Sequence, residues 1–197
     1  YNQTILDICQ ILSNTNRPVY IRWGHEMEMS NSRYPWAGAS PALFKEAYQK
    51  FVNLCKSKIN SDNVKFVWSP AGEQGLENYW PGAEYVDLIG LSVYSYDQYE
   101  YKYFNRRRTF QEVFLPIYQR VEKFGKPILI AEMGVTGTDD YKIKWVENVI
   151  NELNLYPRTV GFVYLNTLDP QAIWEVGLGN PDWRLPKSAK KLLSIYN

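Results

Sequence analysis

The sequence has little of what usually announces metal or thiol chemistry. It holds 2 cysteines and 1 histidine in 197 residues. Cys9 and Cys55 sit in helix-like segments without metal-ligand spacing, and His25 lacks the second histidine of a zinc helix. No metal and no other cofactor is therefore expected. The cysteines read as buried thiols, with a disulfide between them as the alternative, so they leave the compartment open. No glycine-rich loop follows a strand-like run, which removes the usual cradle for nucleotide phosphates. No apolar run is long enough to span a membrane. Net charge is +1, so neither nucleic acid nor a membrane surface is an expected partner. The one basic cluster, Arg106-Arg107-Arg108, reads as a solvated loop or loop-to-helix junction, because phosphate binding needs a wider basic field.

Aromatic residues, in contrast, are plentiful: 16% of the chain, with 7 Trp and 16 Tyr. Flat aromatic faces suit the C–H faces of sugar rings, although any one of them taken singly reads as packing. Apolar residues at 45% and charged residues at 22% describe an ordinary globular domain.

Helix-like and strand-like segments alternate along the chain. Residues 4–12 read as a helix with Ile5, Ile8, Cys9 and Leu12 on one face. Residues 18–24 read as a strand. Ser40 caps a helix running to about residue 59, with Pro41 in its first turn. A strand over 64–68 stops at Ser69-Pro70, and another spans 85–93. Residues 94–104 read as a tyrosine-rich loop. Thr109 and Glu112 form a capping box; the helix they open must bend or restart at Pro116 and ends at Gly125. A strand at 128–131, a helix at 141–153, a strand at 159–165 and a helix at 186–196 follow.

Such alternation implies parallel strands joined by right-handed crossovers. An open doubly wound sheet is one solution. The absence of a phosphate loop, and candidate groups drawn from several strand ends, favour a barrel. The expected fold is α/β, a (β/α)8 TIM barrel whose first three strands are absent from this chain. Residues 1–197 then form one catalytic domain, N-terminally incomplete. Opening on Tyr1 directly into a helical pattern agrees with this. The missing barrel segment, or a polypeptide that supplies it, is an expected partner.

Two glutamates carry the chemistry. Glu26 closes Arg-Pro-Val-Tyr-Ile-Arg-Trp-Gly-His-Glu and Glu132 closes Lys-Pro-Ile-Leu-Ile-Ala-Glu. Each run is apolar enough for a buried strand, and each ends on a carboxylate, as barrel strands do at a catalytic face. A pair of carboxyls in one cleft is the minimal apparatus for cleaving a glycosidic bond; retaining hydrolysis needs them roughly 5–5.5 Å apart. Arg22, within a strand, needs a carboxylate partner, because an unpaired charge there is costly. Trp36, Trp68 and Tyr164 are among the candidate sugar platforms.

Arg22-Trp23-Gly24-His25-Glu26-Met27 resembles the acid/base strand of glycoside hydrolase family 26, the β-mannanase family. Tyr34-Pro35-Trp36, Val67-Trp68-Ser69-Pro70, Tyr79-Trp80-Pro81-Gly82 and Ile89-Gly90-Leu91-Ser92 are similar to later motifs in the family's order. So are Ala131-Glu132-Met133-Gly134, on the nucleophile strand, and Asp182-Trp183-Arg184. The resemblance implies a retaining, endo-acting hydrolase of β-1,4-mannan-type polysaccharide, with β-glucan or β-xylan as alternative substrates and a non-catalytic polysaccharide-binding barrel as a further alternative. Glu26 would be the acid/base and Glu132 the nucleophile. Tyr94 would hydrogen-bond the nucleophile, and His25 would stand beside the acid/base. Glu28 replaces the family's usual Asn, and Tyr164 stands where the family usually has a Trp. The expected location is secreted or extracellular.

Overall fold

The structure, a computed structural model, describes residues 1–15, 17–29, 34–59, 62–170, 174–175 and 177–194. Its elements are α1 (Asn2–Ser13), β1 (Val19–Arg22), α2 (Pro41–Lys56), β2 (Val64–Trp68), β3 (Leu88–Ser95), α3 (Asp97–Phe104), α4 (Phe110–Val121), β4 (Ile128–Val135), α5 (Asp139–Glu152), β5 (Thr159–Tyr164) and α6 (Lys187–Ser194). The strands are parallel and lie in the order β1-β2-β3-β4-β5. Each crossover thus steps the same way, as in a barrel; a doubly wound sheet would reverse its order.

The chain groups into two compact units: Tyr1–Leu91 with Val121–Leu129, and Ser92–Arg120 with Ile130–Asn197. In the first, β1 pairs with β2 so that Arg22 lies level with Val67, and β2 pairs with β3 through Val67↔Leu88 and Trp68↔Ile89. Ser40 caps α2 as expected, accepting from Leu43 N. Phe44, Tyr48, Phe51 and Val52 of α2 are buried. Trp23 stacks on Phe51, with ring centroids 5.2 Å apart. Cys9 on α1 and Cys55 on α2 form a disulfide, so the thiol expectation is corrected. A Cα–Cα distance of 5.2 Å and two buried positions facing each other make the bridge. Ile8, expected to face inward, is exposed, because α1 buries only a narrow face around Cys9 and Ser13.

In the second unit, Phe110 and Phe114 of α4 stack on each other, and Trp145 of α5 meets Phe110 edge-on. The capping box forms: Glu112 N donates to Thr109 Oγ1, and Thr109 N donates to Glu112 Oε2. The helix runs on through Pro116 and closes through a 3-10 turn at Gly125 (φ 73°), which sits in the first unit. Residues 94–104 differ from the expected loop, since 97–104 are helical as α3. Three ion pairs hold α3, one of them between Lys102 and Glu175. Arg107 pairs with Asp97, and Arg108 donates twice to Glu100, which is fully buried. Arg106 pairs with Glu112. The arginine cluster thus lies in the loop that leads into α4, as expected, with each guanidinium tied to a carboxylate. The predicted closing helix is observed as α6; its expected end, at residues 195–196, lies outside the described residues. Among the described residues, no helix is long and apolar enough to cross a membrane.

Candidate active site

Glu26 lies four residues beyond the end of β1, not at it. The chain leaves the strand and turns at Gly24 (φ 61°), where a Cβ would come within 3.2 Å of the Phe44 ring. Glu26 itself has φ 55°, the left-handed region that L-residues other than Gly seldom occupy. Its N–H donates to Ser69 O at 2.7 Å, and its side chain leaves the residue only 7% exposed. Strain of this kind at a buried carboxylate is what a functional position shows when the surrounding fold over-determines it.

Ser69 is the hub of this region. Its hydroxyl accepts from Arg22 Nε at 2.7 Å and donates to Gly90 O at 3.0 Å. Beginning from the sequence, Ser69 read only as a strand stop; no local signal reveals that its side chain links β1, β2 and β3. Arg22 thereby fixes the end of β1 close to the turn that carries Glu26. His25 packs against Tyr34 (4.4 Å between centroids) and Trp36 (5.7 Å). Tyr34 and Trp36 stack in parallel at 5.0 Å, and Trp36 Nε1 donates to His25 O. These three rings are half-buried. Glu28 accepts from Gly72 N and Glu73 N, and burial pushes its carboxyl above the usual carboxylate range. Trp68 is different from what its strand-end position implied. It is fully buried against Trp80 and Phe124, and a ring without an exposed face offers none to a ligand.

Glu132 sits within β4, which continues three residues past it to Val135. Tyr94 of β3 donates to Glu132 Oε2 at 2.6 Å. Tyr94 is itself packed: Trp183 lies 4.9 Å from its ring and Trp174 meets it edge-on at 5.4 Å. Gly134, two residues past Glu132 on the same face of β4, makes room for this. A Cβ there would lie 2.8 Å from Trp183 and 3.0 Å from Tyr94. The Tyr164 hydroxyl of β5 accepts from Val135 N at 3.2 Å and donates to Trp183 O at 2.9 Å. Asp169 accepts both the Trp174 and the Trp183 indole N–H groups. Lys142 of α5 donates to Asp182 O and Arg184 O, which frame Trp183. Arg184 and Asp182 form a local ion pair, and the guanidinium holds the Asp182 carboxyl at about 2.

Among the described residues, no group of three or more His, Cys, Asp or Glu side chains gathers as a metal site would. The side chains around Glu26 and Glu132 include carboxylates, phenols and indoles.

Five parallel strands in sequential order, with these motifs, are those of part of a (β/α)8 barrel of the carbohydrate-active kind. A model of glycosyl hydrolase family 26 matches residues 1–163, and the chain belongs to that family. It is similar to a mannan endo-1,4-β-mannosidase of Bacillus subtilis, 27% identical over 175 residues, 82% of this chain and 42% of the relative. It is also similar to a β-1,3-xylanase of Alcaligenes sp., 29% identical over 100 residues, 48% of this chain and 20% of the relative. Among solved structures, a β-mannanase from Bacteroides ovatus matches with a TM-score of 0.67 at 22% identity, covering all of this chain and 56% of that one. The chain spans less than half the length of the curated relatives it matches here.

Proposed function

We propose that the protein is a retaining, endo-acting glycoside hydrolase of β-1,4-mannan-type polysaccharide. One observation carries this reading: the family match over residues 1–163 contains both Glu26 and Glu132 in a single alignment. Glu132, hydrogen-bonded by the Tyr94 hydroxyl, attacks the anomeric carbon, while Glu26 protonates the leaving oxygen. Water, deprotonated by Glu26, then hydrolyses the glycosyl ester on Glu132. Arg22 supports Glu26 through Ser69. The stacked Tyr34–Trp36 pair beside His25, rather than the enclosed Trp68, offers ring faces to a sugar. Tyr164 acts by bracing Trp183 instead of facing the substrate. The Cys9–Cys55 disulfide suits an oxidising compartment, which supports a secreted location.

The relatives include a mannan endo-1,4-β-mannosidase and a β-1,3-xylanase, so the sugar is the finer question. Reducing-end release from mannan, mixed-linkage glucan and xylan tests it, with the Glu132→Ala variant run alongside. Mannan is expected to be cleaved fastest, and Glu132→Ala to lose at least about a thousandfold in rate. Unchanged hydrolysis by Glu132→Ala removes the nucleophile assignment. Tight binding to one polymer without turnover of any indicates a binding barrel.

A further inference from the structure

We propose that Asp169 is a positioning residue for the nucleophile, acting on Glu132 through Trp174, Trp183 and Tyr94; this rests on the reading of Glu132 given above. Asp169 follows β5 and is 8% exposed, with its N–H donating to Pro181 O at 3.1 Å. Its Oδ2 accepts from Trp174 Nε1 and from Trp183 Nε1, each at 2.8 Å. One oxygen thus sets the angles of two indoles. Those rings lie 5.5 Å apart and both touch Tyr94. Beneath them Gly134 has no side chain, so Tyr94 and Trp183 settle onto β4 at a separation that a Cβ would forbid. Tyr94 is held in this way with its hydroxyl 2.6 Å from Glu132 Oε2.

The consequence is directional. Without Asp169 two indole donors lose their shared acceptor, one of them on the fully buried Trp183. The rings must then turn toward other partners, and the space around Tyr94 opens. Of the tyrosines on the strands beside Glu132, Tyr94 on β3 donates to it, whereas Tyr164 on β5 is committed to Val135 N and Trp183 O. Tyr164 does not replace a displaced Tyr94. A loosened hydroxyl stabilises the Glu132 carboxylate less, so both its ionisation and its aim suffer.

The test uses the full chain and the variants Asp169→Ala, Asp169→Asn, Tyr94→Phe and Asp169→Ala/Tyr94→Phe. Asp169→Ala is expected to lower kcat about tenfold with KM changed by less than about twofold. The acidic limb of kcat/KM moves to higher pH by roughly half a unit or more. Mere loss of folded enzyme lowers kcat and leaves that limb in place. Asp169→Asn, whose side-chain oxygen still accepts both indoles, restores most of the rate. The double variant is no more than about twofold worse than Tyr94→Phe alone, since both substitutions release the same contact. Should Asp169→Ala not fold, Trp174→Phe removes one donor while keeping a ring, and the limb moves the same way by less. An unmoved acidic limb, or losses that multiply in the double variant, overturns the inference and leaves the nucleophile assignment standing. A wild-type chain that turns over none of the three polymers overturns both.

Discussion

Glu26 and Glu132 are held in place by opposite means. Around Glu26 the backbone does the placing: a left-handed residue, a left-handed glycine two positions before it, and an N–H bound to Ser69 O. Around Glu132 the backbone is ordinary strand and the side chains do the placing. Tyr94, two indoles, Asp169 and the missing Cβ of Gly134 form a packed bracket. In the proposed mechanism the carboxyl that gives and takes a proton is thus carried on a strained turn, and the one that attacks is carried on a strand. The difference teaches where each site is vulnerable: to changes in local conformation at Glu26, and to changes in volume or hydrogen bonding at Glu132.

The largest expected effect on stability lies with the disulfide behind the Glu26 region. It closes a loop with a sequence separation of 46. Replacing both cysteines by alanine is expected to cost about 3–4 kcal/mol by loop-closure entropy, read by denaturant unfolding without reductant. A loss under about 1 kcal/mol would show that α1 and α2 hold together without it. Gly134→Ala comes next. Two aromatic rings stand within 3.0 Å of the new methyl group, so roughly 1–3 kcal/mol is lost and hydrolysis falls with it. Full activity in that variant would break the side-chain half of the comparison. Glu26→Gly against Glu26→Ala isolates the backbone half. Both lack the carboxyl, yet the glycine variant is expected to be more stable by about 1 kcal/mol, because only it occupies φ 55° without strain. Equal stabilities would mean that the turn relaxes.

The smallest effects are those of pH. Glu112 and Asp182 are held at about 2, chiefly by hydrogen bonds from Arg106 and Arg184 respectively. Depressed carboxyls contribute stability above their unfolded values, and that contribution is lost as pH falls through about 2. Both pairs are solvent-exposed, so the loss is small and shrinks further in salt. Glu28 has the opposite sign. Burial raises its carboxyl, so its contribution is present at low pH and lost as pH rises through the raised value. Glu28→Gln, which can still accept from Gly72 and Glu73, is expected to raise Tm at pH 7 relative to its value at pH 4. A difference in Tm between the two pH values that the variant leaves unchanged would remove Glu28 as a source of it.

Much of this architecture was legible in the residues. The Ser40 cap, the Thr109–Glu112 box, the β2 run and both glutamates are local features, and local features write themselves into sequence. The barrel class followed from the βα alternation. What stayed hidden depends on distant partners. Helix α3, with the sequence DQYEYKYF, has no apolar stripe; it is held by Glu100 and Asp97 reaching Arg108 and Arg107. On α5 the apolar Val146 and Val149 are buried, and so is Lys142, a burial no apolar periodicity signals, because its ammonium donates to carbonyls of a later loop. Trp68 looked like a sugar platform by type and place, yet Trp80 and Phe124 enclose it. Asp169 carries no motif, and only the folded chain brings two indoles to one of its oxygens.

Trapping of the glycosyl-enzyme intermediate measures the central claim most directly. An activated 2-deoxy-2-fluoro glycoside of the sugar the protein cleaves is added, and the labelled peptide is mapped by mass spectrometry. Stoichiometric labelling on Glu132, slowed in Glu26→Ala when the leaving group needs protonation, is the predicted result. A label on another side chain, or rapid hydrolysis that yields the inverted anomer with no covalent species, would contradict it.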